Sequence, residues 1–302
     1  MTHDTRRATD RRFSQIGFSQ RVRLEWLQRT ANLVLAGNDE ASIYNALQEL
    51  LEDKLSVDRG VRASSVKPQA SEGPEPRSTH DARRATQRRI RGNREKVITI
   101  LMKIWVRPPR ELRPLQHDGL ELLLYLPREY HIAVHWGMTM AVYPFWWSVA
   151  AHVGRLLRLQ GAVTPKQVHR RLMEQYGERP TVKDAVRRVL RAMVDWGVLD
   201  DGKAGDAPVP KGTYFAGLSL AIDNAKLAAW LAEAHLRAHS TGSLRLSALL
   251  NAPSLFPFRL SHIPPAQLIA ASGRLDVLPD GLGQDLIMLR AESPPAATRG
   301  ES

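Results

Sequence analysis

Between Gly161 and Gly197 the pattern of residues admits little besides two short amphipathic helices joined by a tight turn. Thr164-Pro165-Lys166-Gln167 is a capping box. The threonine can accept from the backbone three residues on, proline suits the first helical position, and the glutamine can reach back to the cap. Val168, Leu172, Met173 and Tyr176 then fall on one side of a helix that Gly177 ends. Only Glu178, Arg179 and Pro180 precede Thr181, which is expected to cap a second helix. Two helices joined by about four residues have helix-turn-helix spacing.

The second helix has two distinct faces. Val182, Val186, Val189, Leu190 and Met193 form one apolar stripe, and Lys183, Arg187 and Arg191 form a cationic stripe opposite, with Arg188 beside it. A helix of this kind can enter a major groove, where arginine donates to the O6 and N7 acceptors of guanine. Trp196-Gly197-Val198-Leu199 then begins an extended segment, Asp201 to Gly212 is a Gly- and Pro-containing loop, and Thr213-Tyr214-Phe215 is extended again. Strand, loop and strand after the second helix make a wing. The candidate contacts to double-stranded DNA are Thr181, Lys183, Arg187, Arg188 and Arg191 on the second helix, Lys166, Arg170 and Arg171 on the first, and Lys203 and Lys211 in the loop. Between Arg155 and Arg191 there are ten Lys or Arg against three acidic residues, more one-sided than solvation alone requires. A cationic stripe is also what a solvated helix face looks like, and winged helices also dock on proteins, so a scaffold without nucleic acid stands as the alternative.

The run from Thr181 to Leu199, with Ala185, Val189-Leu190, Met193 and Trp196-Gly197-Val198-Leu199 at their spacings, resembles the recognition helix and first wing strand of winged-helix DNA-binding proteins. In general layout, a helical N-terminal half feeding a winged-helix half, the chain is similar to the BrxA family of BREX phage-defence systems. That resemblance implies DNA binding beside other subunits of a defence complex. A transcriptional regulator reading a specific operator is the rival within DNA binding.

The rest of the chain divides by composition. Its 302 residues favour two or three compact units, and a hydrophobic fraction of 43% is enough for a core. Residues 1–19 are expected to be a flexible basic arm. Residues 20–56 and 93–143 form a helical domain, with Gly37 as a left-handed stop, Asn38 or Asp39 capping one helix and Asn93 another. Between them, 57–92 is expected to be a disordered basic linker, rich in Ser and Pro at first and ending in Arg83, Arg84, Arg88, Arg89 and Arg91, a run that can extend the next helix and bind phosphates. Residues 127–143 fit either a strand or a buried helix. Residues 144–220 are the winged helix-turn-helix, 221–290 a C-terminal α/β extension with a helix near 223–239 and a hairpin of 275–278 with 285–289, and 291–302 a disordered tail. The fold class is mainly α: an N-terminal helical bundle and a winged helix-turn-helix with small β-hairpins.

A net charge of +12 and a pI near 10.3 favour polyanionic partners. Zero cysteines exclude disulfides, thiolate metal sites and a cysteine nucleophile. Met1 to Arg12 has no apolar segment behind it, so no secretory signal is expected, and the apolar run from Ile132 to Leu159 is broken by charge and proline, so no membrane span is expected. His131 and His135 share a helical face at zinc-site spacing, but Ile132 stands where a metalloprotease needs glutamate, and a buried histidine pair is the expected reading. Tyr143, Phe145, Trp146 and Trp147 open a helix and are expected in the core. No catalytic constellation, cofactor or metal is expected; the chain reads as a non-enzymatic DNA-binding protein of the cytoplasm, associated with the nucleoid.

Overall fold

The computed structural model describes residues 15–63, 79–202, 210, 212–239, 241–260, 263–279 and 285–290, and the side chains of all of these except 53–63, 79–90 and 265. It is mainly helical, with three small sheets. The first helices are α1 (Leu24–Leu35), α2 (Glu40–Ala63) and α3 (Thr79–Trp105). Gly37 takes the left-handed conformation and Asp39 accepts from the Ser42 amide at 2.7 Å, as the punctuation predicted. α2 runs past residue 56 and α3 starts well before Asn93, so of the expected 57–92 linker only 64–78 lies outside the described residues, and the arginine run belongs to α3. Asn93 sits inside that helix and accepts from Gln20 instead of capping. No helix among the described residues is long and apolar enough to cross a membrane.

Next come α4 (Arg113–Tyr125) and α5 (His131–Val142). Every residue from Ile132 to Val142 is buried. An element covered on all sides loses the 3.6-residue apolar period, which explains why 127–143 also read as a strand. After α6 (Pro144–Gln160) come β1 (Ala162–Val163), α7 (Pro165–Tyr176), α8 (Pro180–Asp195), β2 (Leu199–Asp200) and β3 (Tyr214–Ala216). β3 pairs antiparallel with both others, giving the order β1-β3-β2.

The C-terminal part holds β4 (Leu220–Ala221), α9 (Ala225–Ala238), β5 (Ser243–Arg245), α10 (Leu246–Leu250), β6 (Phe258–Arg259), α11 (Pro265–Ala270), β7 (Leu275–Leu278) and β8 (Leu286–Leu289). The expected pairing of 275–278 with 285–289 is present, and β5 adds a third strand on the far side of β8. β4 and β6 pair in parallel. Asn224 caps α9 by accepting from the Leu227 amide at 3.0 Å. This extension is not a separate unit: the buried side chains from Phe18 to Ile287 form one continuous cluster.

Trp136 sits at the centre of that cluster, fully buried, with its ring in edge contact with Trp146, Trp196, Phe256 and Phe258 at centroid distances of 5.2, 6.1, 6.0 and 5.7 Å. Its indole N–H donates to Ser254 O at 3.1 Å. The turn at 253–255 can lie on α6 because residue 154 is glycine; a Cβ there would stand 2.0 Å from Pro253 O.

Residues 15–23, part of which was expected to be a flexible arm, form an ordered strap. Phe18 is fully buried against Tyr143 and Trp146. Arg188 donates to Ser19 O at 2.5 Å, Trp196 donates to Val22 O at 3.0 Å, and Arg21 forms an ion pair with Asp195. Phe18→Ala is expected to cost about 3–5 kcal/mol of stability, read from the urea midpoint. A loss under about 1 kcal/mol would mean the strap is not part of the packed core.

Two histidines carry an acid-linked stability term. Burial, with His131 beside it, lowers the pKa of His135 to about 3, and burial with His239 lowers that of His235 to about 3. Both rings accept on Nδ1, His135 from Trp105 at 3.1 Å and His235 from Trp147 at 3.3 Å, which the protonated ring cannot do. The unfolded chain takes up these protons near pH 6.5 and the folded chain does not. Their contribution is therefore full above about pH 6.5 and is lost as pH falls toward about 3. Between about pH 7 and 5 the expected loss is about 2 kcal/mol per histidine by chemical denaturation, and a flat profile there would contradict neutral buried rings.

Candidate nucleic-acid interface

The α7–turn–α8 unit is built by local chemistry that the sequence announced in part. Thr164 and Gln167 form the reciprocal capping box: the Gln167 amide donates to Thr164 Oγ1 at 3.4 Å and the Thr164 amide donates to Gln167 Oε1 at 2.9 Å. Gly177, Glu178 and Arg179 make the turn. Thr181 does not cap α8; the helix begins at Pro180 and Arg179 occupies the cap position without a side-chain hydrogen bond. Proline at the first helical position carries the start by itself, since its fixed φ suits the helix and it lacks an N–H to satisfy.

The apolar stripe of α8 faces inward as expected, with Val182, Val186, Val189, Leu190 and Met193 all fully buried. The cationic residues divide into two groups. Lys183 and Arg187, one helical turn apart, are exposed, as are Thr181 and Arg179. Arg188 and Arg191 are half-buried and engaged: Arg188 holds the strap through Ser19 O, and Arg191 reaches Asp201 just past β2 at 3.5 Å. Periodicity places all four away from the apolar stripe, but it cannot show that the strap crosses beside α8 and takes up one of them.

On α7, Lys166, Arg170 and Arg171 are exposed, with Arg171 loosely paired to Glu174 at 3.9 Å. The positive field extends to α6. Burial lowers the pKa of His152, and the charges of Arg155 and Arg171 lower it further. Lys203 and Lys211 lie outside the described residues. Arg83, Arg84, Arg88 and Arg89 lie along α3 with side chains outside the description, and Arg91 is exposed at its edge. Farther down α3, Arg94 pairs with Glu52 at 3.1 Å.

The histidine pair is part of a buried relay. Trp105 donates to His135, and both His135 and His131 meet Gln28 Oε1 at 3.0 Å. Tyr143, Phe145 and Trp146 are buried in the core, while Trp147 is half-buried and donates to His235 at 3.3 Å.

Comparison with protein-family profiles, curated proteins and solved structures gives no match for this chain.

The division within the cationic stripe is testable without any ligand. Arg187→Ala should leave stability within about ±0.5 kcal/mol. Arg188→Ala removes a charged donor from the strap carbonyl and should cost about 1–3 kcal/mol. Equal thermal midpoints for the two variants would refute the distinction.

Proposed function

We propose that residues 144–216 are a winged helix-turn-helix that binds double-stranded DNA, with α8 as the helix entering the major groove and with no chemistry of its own. The observation carrying this reading is the order helix, strand, helix, turn, helix, strand, loop, strand, with β1-β3-β2 forming one sheet that meets α6 through β1 and α8 through β2. The apolar stripe of α8 is buried, largely against α7, and Lys183 and Arg187 are left outward. In this reading the segment between β2 and β3 is the wing that tracks the phosphate backbone. The surplus of cations between Arg155 and Arg191 supports the same reading, because phosphate contacts supply most of the affinity of such proteins. Within it, Lys183, Arg187, Arg179, Lys166 and Arg170 are the contact residues, and Arg188 and Arg191 act as supports that fix α8. Arg83, Arg84, Arg88, Arg89 and Arg91 along α3 are the secondary contact. Membership of a phage-defence assembly is a further part of the proposal, supported by the likeness in layout to the BrxA family.

Gel shift with duplex DNA tests the reading. Affinity is expected to fall steeply between about 50 and 200 mM salt as counterions are released. Lys183→Ala with Arg187→Ala should weaken binding by about 1–3 kcal/mol per residue and lower the salt slope by about 2, with an unchanged thermal midpoint. Absence of any shift at about 50 mM salt with micromolar protein would refute DNA binding. Parental binding by the double variant would remove α8 as the contact and shift the role to the arginines of α3.

A further inference from the structure

α1, the start of α5 with the turn at 128–130 before it, and the segment from Leu218 to Leu220 surround an open pocket of about 740 Å³. That volume lies in the range of small-molecule sites. Leu24, Ile132, Leu218 and Leu220 form its apolar walls, and Leu218 is one of the few large apolar side chains left exposed, at 38%.

The polar lining of the pocket has a fixed polarity that follows from one indole. Trp105 Nε1 can only donate, so His135 Nδ1 accepts and the ring proton is on Nε2. His135 Nε2 then donates to Gln28 Oε1, which sets the orientation of that amide. His131 lies against the same oxygen through Nδ1 and against Leu126 O through Nε2, each at 3.0 Å, so neither nitrogen offers a lone pair to a ligand. Gln28 Nε2 faces outward and donates one hydrogen to Asn32 Oδ1 at 2.9 Å. Of the groups that Gln28, Asn32 and Arg128 present to the pocket, those left to meet a ligand are donors: the second Gln28 N–H, the Asn32 amide N–H pair, and the guanidinium of Arg128, which has no hydrogen-bond or ion-pair partner among the described residues. Two carboxylates lie on the lining. Glu25 is answered by Arg23 at 3.7 Å, and Glu129 is exposed beside Arg128.

We infer that this pocket binds a small monocarboxylate with an apolar body, its carboxylate on Arg128 and the Asn32 amide, and that occupation changes the DNA affinity of α8. The second clause rests on the DNA-binding reading above. Both walls of the pocket are fastened to the residues that end α8. On one side Leu218 donates to Gly197 O at 2.8 Å and Gly217 to Val198 O at 3.0 Å. That approach requires glycine at 217, since a Cβ would stand 2.3 Å from Gly197 O. On the other side Val22 O, two residues before Leu24, accepts from Trp196. A ligand that moves Leu218 or Leu24 therefore acts on the C-terminal end of the proposed groove-binding helix.

The test is titration of the full chain with phenylacetate, 4-methylpentanoate and octanoate, followed by calorimetry, with phenylacetamide and phenethylamine as isosteric controls. At least one carboxylate should bind saturably at or below about 1 mM, with the phenylacetate analogues weaker by about tenfold where phenylacetate binds. Arg128→Gln should weaken carboxylate binding about tenfold, and Glu129→Gln should strengthen it. Leu218→Trp should abolish it by filling the pocket; if that variant fails to fold, the Arg128 and Glu129 variants still decide. No saturable carboxylate binding, preference for the amine, or indifference to Arg128→Gln would overturn the ligand assignment. The coupling is read by fluorescence-detected DNA binding with and without a bound carboxylate. A shift of at least about threefold is expected, and linkage requires DNA to shift carboxylate affinity by the same factor. Carboxylate binding with unchanged DNA affinity would overturn the coupling alone. Carboxylate binding by a chain that binds no DNA at low salt would overturn the DNA reading and leave the pocket assignment standing.

Discussion

Most of this molecule is positioned by the burial of one indole. Trp136 is fully enclosed at the middle of α5 and touches aromatic rings from α6, from the end of α8 and from the segment carrying β6. Large aromatic side chains contribute both buried area and directional edge-to-face contacts, so a hub of this kind fixes angles as well as distances. Phe18 adds a further ring against Trp146 from the strap. The consequence is that the α7–α8 unit is packed into the helical body and is not hung from it by a linker. The cations on α8 therefore inherit the rigidity of the core.

A second constraint fastens the C-terminal extension. Glu233 on α9 is buried and is met by Arg237 at 2.7 Å and Arg274 at 2.9 Å, while Arg274 also pairs with Asp118 on α4. Removing one member of such a group leaves an uncompensated buried charge, which is far more harmful than replacing the whole group with apolar residues. This arrangement holds the segment before β7 against both helices. It adds a polar tie to the core that residues 221–290 share with the rest of the chain.

The sequence was informative where a local signal is strong. Thr164-Pro165-x-Gln167, Gly177 and Trp196-Gly197 punctuate the α7–α8 unit within a few residues, and the valine stripe of α8 gave its inner face. It was uninformative where a structure depends on partners distant in the chain. Ile16-Gly17-Phe18 carries no periodicity, so the strap could not be separated from the basic residues before it. Thr181 is a good capping residue, but Pro180 before it takes the first helical position and leaves it inside the helix. The strand β1 is two residues long and exists only because Tyr214 and Phe215 pair with it. The pocket polarity was out of reach altogether, since it depends on Trp105 meeting a histidine 30 residues away.

The strap also has a consequence for the order in which the chain can be completed during synthesis. Val22 is joined to Trp196, 174 residues later, and Ser19 to Arg188, 169 residues later. At translation speeds of about 5–20 residues per second, Ser19 and Val22 emerge on the order of ten to thirty seconds before their anchors exist. Throughout that interval α1 can pack on α2, α3 and α5, while the strap that precedes it has no partner on α8. The strap is therefore fastened only once α8 has emerged, so the N-terminal helices precede it in the order of assembly.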